Sequence, residues 1–253
     1  MMSPTFVQAL IALGLVCGLL GSVEAGFRVG LWKRRLRESD SHLGTVQAAL
    51  LGLLALLLGF AFSGAMSRFI DRQDVLVREG NAMGTAYLRA DLLPEPEREM
   101  LRASLRRYAD DRIVLFQTIA TADAAAVTAR LAAHHAAAWA AATAGVRAQP
   151  VTAALVLEPL NEIIDLLAVR NAATKRHMPA LVLALLLGCA AVSMYEVGFG
   201  QGLAGRRNRT EIVSLALLIA VALWVTIDLD FPRVGLVRMS DQPLVDARAA
   251  MGP

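Results

Sequence analysis

The chain has 253 residues, of which 56% are hydrophobic and 19% charged. That is too apolar for an ordinary soluble domain and fits a chain with several membrane-spanning helices. A net charge of only +3, with Arg interspersed among Asp and Glu, gives no footing for a nucleic-acid partner.

Thr5 to Val23 is 19 residues without charge and is the first predicted span. Met1 to Val23 has no basic leading region, and its Arg/Lys cluster follows the apolar run, so the segment reads as a retained helix rather than a cleaved leader. It continues as the basic, amphipathic EAGFRVGLWKRRLR, and ESDSH makes a polar turn. Gly44 to Ser67 is an uncharged run of 24 residues, long enough to cross a hydrocarbon core of about 30 Å at about 1.5 Å per residue. No Gly-Pro break separates it from the charged RFIDRQDVLVREGNAMGTAYLRADLL, so one helix is expected to leave the membrane and continue into water. A stripe at Phe69, Leu76, Met83 and Ala90, with Gly80 and Tyr87 between, has the spacing of a coiled-coil seam. Asp74 and Arg78 are placed to pair one turn apart.

Pro94-Glu95-Pro96 stops that helix, and Glu97 and Glu99 near a positive helix end start the next. Leu101, Leu105, Tyr108, Leu115 and Ile119 share its apolar face. Ala122 to Ala144 predicts an Ala-rich helix, and Val151 to Arg176 a further one containing Pro159. Met178 to Tyr195 is the third span, its apolar character continuing through VGFGQGLAG, and RRNRT is the next turn. Ile212 to Ile227 is a short fourth span of 16 uncharged residues, which calls for a thin bilayer or polar flanks at the interface. The expectation is an all-α integral membrane protein. Its hairpins are 1–67 (spans 5–23 and 44–67) and 178–228 (spans 178–195 and 212–227), with a helical extramembrane region at 68–177 and a polar, turn-rich tail at 229–253.

A shift of 172 residues superposes the first and third spans. Glu24, Gly26, Phe27, Gly30, Leu31, Arg34, Arg35 and Arg37 face Glu196, Gly198, Phe199, Gly202, Leu203, Arg206, Arg207 and Arg209, in the pattern E-x-G-F-x-x-G-L-x-x-R-R-x-R. Chance readily matches Leu and Ala in apolar runs, but not this spacing of Glu, Gly and Arg. The two spans are therefore expected to run in the same direction, as in a parallel membrane repeat.

Glu24 and Glu196 close apolar runs, and ionisable groups at membrane depth are functional candidates. Glu24 has Arg28 one turn on as an interfacial partner, whereas Glu196 has Gly200 there. Asp228 and Asp230 end the last span; two carboxylates are too few for calcium, which takes about six to eight oxygens, so a helix end at the interface is expected. His134 and His135 are adjacent, about 100° apart on a helix, and cannot easily grip one metal. Cys17 and Cys189 lie in apolar runs without a CxxC and read as packing residues. The sequence holds no G-x-S-x-G, H-E-x-x-H, P-loop or dinucleotide fingerprint, so neither an enzyme, a cofactor nor a metal is expected.

LLGLLALLLGFAFSGAMSRF resembles the neck helix of bestrophins, with Phe60 as the bulky aromatic after L-G and Arg68 eight residues on. EGNAMGTAYLRADLLPEPEREMLRASLRRY and DLDFPRVGLVRMS are similar to a bacterial bestrophin-like membrane family over nearly the whole length. Bestrophins are pentameric anion channels with cytosolic helical regions. The resemblance implies a homopentamer in the bacterial inner membrane, passing small inorganic anions. Gly52, Leu56 and Phe60 would then line the pore, with Gly52 standing where that neck has a bulky residue. For Leu56 and Phe60, contact with lipid or with another helix is the other reading. The resemblance puts the helical region in the cytoplasm; the basic hairpin turns, by the positive-inside rule, put it outside. A non-conducting, membrane-anchored helical scaffold or sensor is the alternative function.

Overall fold

A computed structural model describes residues 4–36, 43–118, 124–232 and 235–252. Arg37, the ESDSH turn, Ile119, Ala122 and Arg233 lie outside the described residues. Among the described residues eight α-helices follow one another: α1 (Pro4–Arg35), α2 (Leu43–Arg89), α3 (Glu97–Thr118), α4 (Ala124–Ala148), α5 (Ala153–Lys175), α6 (Ala180–Ala204), α7 (Arg209–Asp230) and α8 (Gln242–Ala250). Short 3-10 turns at Ala90–Leu92 and Pro150–Thr152 follow α2 and precede α5. Among the described residues there is no strand, and four helical stretches are long and apolar enough to cross a membrane.

The chain divides into two compact units. The first comprises Met1–Phe69 and His177–Arg238. Its organising contact is between α1 and α6. Added Cβ atoms at Gly26 and Gly30 would collide with the carbonyl oxygens of Tyr195 and Phe199, and at Gly198 and Gly202 with those of Val23 and Phe27. These pairs are reciprocal under the 172-residue shift, and higher numbers in one helix meet higher numbers in the other. The two repeats therefore run parallel, as the pattern predicts.

The other two membrane helices run against them. Ser193 of α6 donates from Oγ to the Leu50 carbonyl of α2, and Gln47 donates to the Glu196 carbonyl, so rising numbers in α2 meet falling numbers in α6. Trp224, near the end of α7, donates from Nε1 to Gln8 at the start of α1 (3.1 Å). Leu19, Val23, Leu54, Leu186, Ala190, Met194, Ala216 and Leu223 fill the core between these helices. Asn208 caps α7 by accepting from the Glu211 amide, and Gly205, at φ +62°, ends α6 in the left-handed conformation that favours glycine. With 22 residues, α7 is about 33 Å long, so the short uncharged core of the fourth span belongs to a helix of ordinary spanning length.

The second unit comprises Ile70–Arg176 and Met239–Pro253. The seam residues Leu76, Gly80, Met83, Tyr87 and Ala90 are buried within it, against α3, α4 and α5 residues such as Leu105, Ala138 and Ile163. From Leu76 onward the seam is thus consumed by this unit's own core, whereas Phe69, its first expected residue, is half-buried and belongs to the first unit. The expected Asp74–Arg78 pair gives way to a contact from Arg78 to Glu162 of α5 at 3.1 Å. The tail is not turn-rich throughout: α8 seats Leu244, and beyond it Met251, in the core. A short helix of this kind is held by tertiary burial rather than propensity. Gly80 lets it approach, since a Cβ there would stand 2.7 Å from the Pro243 carbonyl oxygen. Arg248 Nε to Asp110 at 2.7 Å fastens its far end.

The polar centre of this unit is Glu79, three turns beyond the apolar run of α2 and fully buried. Arg112 of α3 donates to both carboxylate oxygens (Nε 2.6 Å, Nη2 2.7 Å), Tyr108 donates its hydroxyl (2.7 Å), and Arg170 of α5 donates from Nη1 (2.9 and 3.0 Å). His135 of α4 stacks on Tyr108 with ring centroids 4.4 Å apart. Burial alone would raise the Glu79 carboxyl. The hydrogen bonds and charge of Arg112, with the charge of Arg170 and the Tyr108 hydroxyl, outweigh it and hold the group at about 2.

Two predictions follow from these contacts. Gly198→Ala should lower detergent thermal stability by about 1–3 kcal/mol through overpacking, whereas Gly18→Ala, with nothing within 4 Å of the new Cβ, should not; equal melting temperatures for both would contradict the close pairing. Because the Glu79 carboxyl is held below its ordinary 4.5, its contribution is complete above about pH 4.5 and is lost as pH falls towards about 2. Circular dichroism of the wild type should therefore show acid unfolding in that window. Glu79→Gln should be destabilised by about 3–5 kcal/mol at neutral pH, leaving Arg112 buried without its counter-charge, and should lack that acid step.

Candidate functional site

The apolar first half of α2 has two unlike sides. Leu54 and Ala65 are buried, with Leu57, Leu58 and Ala61 partly so, against the core of the first unit. Opposite them Gly52, Leu53, Leu56, Phe60 and Ser63 form an exposed ribbon at helical spacing; Leu56 is 56% and Phe60 69% exposed. A Cβ at Gly52 would meet nothing within 4 Å, so the ribbon narrows there to bare backbone. The ribbon presents three large apolar side chains at successive turns, Leu53, Leu56 and Phe60, and no charge, to whatever lies beside the helix.

The acidic candidates separate from this ribbon and from each other. Glu24 accepts from Arg28 Nε (2.8 Å), the expected partner one turn on, and also from Arg207 beyond α6. Among the described residues the Glu196 carboxylate has no partner of this kind, Gly200 standing where Glu24 has Arg28.

Asp228 and Asp230 are both buried and both occupied by donors. Asp228 accepts from the backbone amides of Leu236 (3.0 Å) and Val237 (2.8 Å), and Gly235 lies beneath its carboxylate with no room for a Cβ. Asp230 accepts from Arg68 Nε (2.7 Å) and the Met178 amide (2.8 Å), and His177 stacks on Phe231 beside it (4.5 Å). One carboxylate folds the chain back after α7; the other ties the ends of the second and third predicted spans together. Both carboxylates lie in the last turn of α7. Among the described residues no group of three or more His, Cys, Asp or Glu is placed to hold a metal ion.

Sequence reasoning did not foresee that Arg68 serves Asp230, 162 residues away. The available signal was a lone Arg closing one span and a D-L-D closing another. His134 and His135 also part company: His134 reaches Asp111 (3.2 Å), while His135 lies on Tyr108.

The Bestrophin-like domain model matches residues 19–244 of the chain. Among solved structures, a crystal structure of a bacterial bestrophin homolog from Klebsiella pneumoniae with a tyrosine-to-alanine mutation is similar at a TM-score of 0.72 and 16% identity, over 94% of this chain and 97% of that one. A tryptophan-to-alanine variant of a Klebsiella pneumoniae homolog gives 0.67 and 14%, over 99% and 97%. No curated protein matches the sequence. The all-α fold with four apolar spanning helices is thus a bestrophin fold, and the chain belongs to the bestrophin-like family.

Proposed function

We propose that copies of this chain assemble as a pentamer in the bacterial inner membrane, around a pore that conducts small inorganic anions. The first half of α2 lines the pore, with Leu56 and Phe60 as successive apolar rings and Gly52 as a wider point above them. The helical region is cytoplasmic. The observation that carries this reading is the exposed α2 ribbon, in a chain whose family has anion channels as its characterised members. Uncharged rings of this size hold a narrow column of water only weakly, and a pore can close there by dewetting. Hydrophobic transfer supplies no drive for helix association inside lipid. The ribbon therefore finds siblings by shape, and the five ribbons enclose the pathway. A channel needs no chemistry at this site, in keeping with a family known for channels rather than enzymes.

Flux from proteoliposomes tests the proposal. The wild type should pass chloride or nitrate in preference to sodium or potassium, and Phe60→Ala, by opening the apolar ring, should raise anion flux several-fold. Absence of flux in both proteins, across anions and cations, would defeat conduction and favour the non-conducting scaffold. Cation preference would keep the pore and overturn the ion assignment.

A further inference from the structure

The parallel pairing of the two repeats has an electrostatic result. Because α1 and α6 lie side by side and run the same way, Lys33, Arg34 and Arg35 at the end of α1 are gathered with Arg206, Arg207 and Arg209 just beyond α6. Each repeat's aromatic ring carries a cation from the other repeat, although the two cations are not themselves repeat equivalents. Arg207 lies over the Phe27 ring at 4.8 Å and Lys33 over the Phe199 ring at 5.5 Å, and Phe27 and Phe199 are repeat equivalents. Residues 24–42 and 196–211 hold eight cations against five carboxylates, a surplus of three that equals the net charge of the entire chain.

Of the three carboxylates among the described residues, Glu24 is taken by Arg28 and Arg207, Glu211 lies on the first turn of α7 near Gln201, and Glu196 is the third. Arg34, Arg35, Arg206 and Arg209 are exposed, and among the described residues none has a carboxylate partner. The depth of the cluster is marked by Trp32, 61% exposed one residue before Lys33. An exposed indole at the end of a spanning helix sits at the headgroup level, where it has an apolar body to bury and a polar edge to keep wet. Guanidinium forks match phosphate oxygens in pairs, and basic clusters at span ends attract anionic lipid.

We infer that this end of the α1/α6 pair is a binding site for the phosphate of an anionic phospholipid, held by Arg34, Arg35, Arg206 and Arg209. A lipid, rather than a soluble anion, accounts for a cluster that closes two apolar helices beside an exposed Trp32. The inference concerns the repeat and does not require that the protein conduct.

The test is native mass spectrometry of the full chain from mixed micelles of equal phosphatidylglycerol and phosphatidylcholine. The wild type should retain phosphatidylglycerol over phosphatidylcholine by roughly tenfold or more, and retention should fall as sodium chloride rises from about 0.05 to about 0.5 M. The combined variant Arg34→Gln, Arg35→Gln, Arg206→Gln, Arg209→Gln should lose the preference. Arg107→Gln with Arg147→Gln, exposed arginines of the second unit, should keep it. No preference in the wild type, or an undiminished preference in the fourfold variant, would overturn the inference. Displacement of the lipid by millimolar inorganic phosphate would turn it into a soluble-anion site. If the fourfold variant fails to fold, wild-type retention that is indifferent to salt overturns the inference by itself.

Discussion

The membrane-embedded unit depends on one constraint: two helix backbones must come close enough that no side chain fits between them. In lipid, apolar side chains gain nothing by leaving one apolar neighbour for another, so helix pairing rests on close packing. Gly26, Gly30, Gly198 and Gly202 supply it, each facing a carbonyl of the opposite helix. Because the same four-residue spacing occurs in both repeats, the pairing satisfies itself reciprocally and fixes a parallel direction. From that direction the rest follows. The last turns of α1 and α6 lie at one end of the pair, α2 and α7 run against them, and the hydrogen bonds from Ser193, Gln47 and Trp224 lock the antiparallel neighbours in register.

The second unit solves the opposite problem with charge. An Ala-rich helix such as α4 offers little side-chain volume, and its core closes around one carboxylate that serves α2, α3 and α5 together. A buried ion group of this sort is weak evidence for net stability, because desolvation offsets much of the Coulombic gain. Its directionality is another matter: two guanidiniums and a phenol aimed at one carboxylate admit few alternative packings. A solvated Glu would leave the seam on α2 free to slide along its partners.

Much of this architecture was legible because membrane helices announce themselves by lacking charge, and because E-x-G-F-x-x-G-L-x-x-R-R-x-R pairs glycines with polar residues at spacings chance does not reproduce. The seam at Leu76, Met83 and Ala90 was legible from its heptad spacing, although not that its partner was the same chain. Other features left no local trace. Glu79 sits among charges of ordinary helical phase, and its partners Arg112 and Arg170 are 33 and 91 residues away. The local pairing rule pointed Arg78 to Asp74, but the packing of α5 brought Glu162 within reach instead. The α8 helix is too short to show a period and exists because Leu244 and Met251 find a core. Asp228 and Asp230 fall in the last turn of α7, and the donors that meet Asp230 come from chain segments far off in sequence.

What the exposed side of α2 faces is decided by neither unit. A large aromatic on an uncharged helix is as comfortable against acyl chains as against its own kind, so Phe60 by itself selects no partner; the proposed pore rests on the family membership together with the exposed ribbon. The most direct measurement is thiol cross-linking in native membranes, using Phe60→Cys in a chain whose Cys17 and Cys189 have been replaced by alanine. The account predicts rapid formation of a chain-to-chain disulfide at position 60, absent when the single cysteine is placed at the buried Leu54. A Phe60→Cys thiol that forms no inter-chain product and is labelled only by a lipid-phase reagent would contradict it.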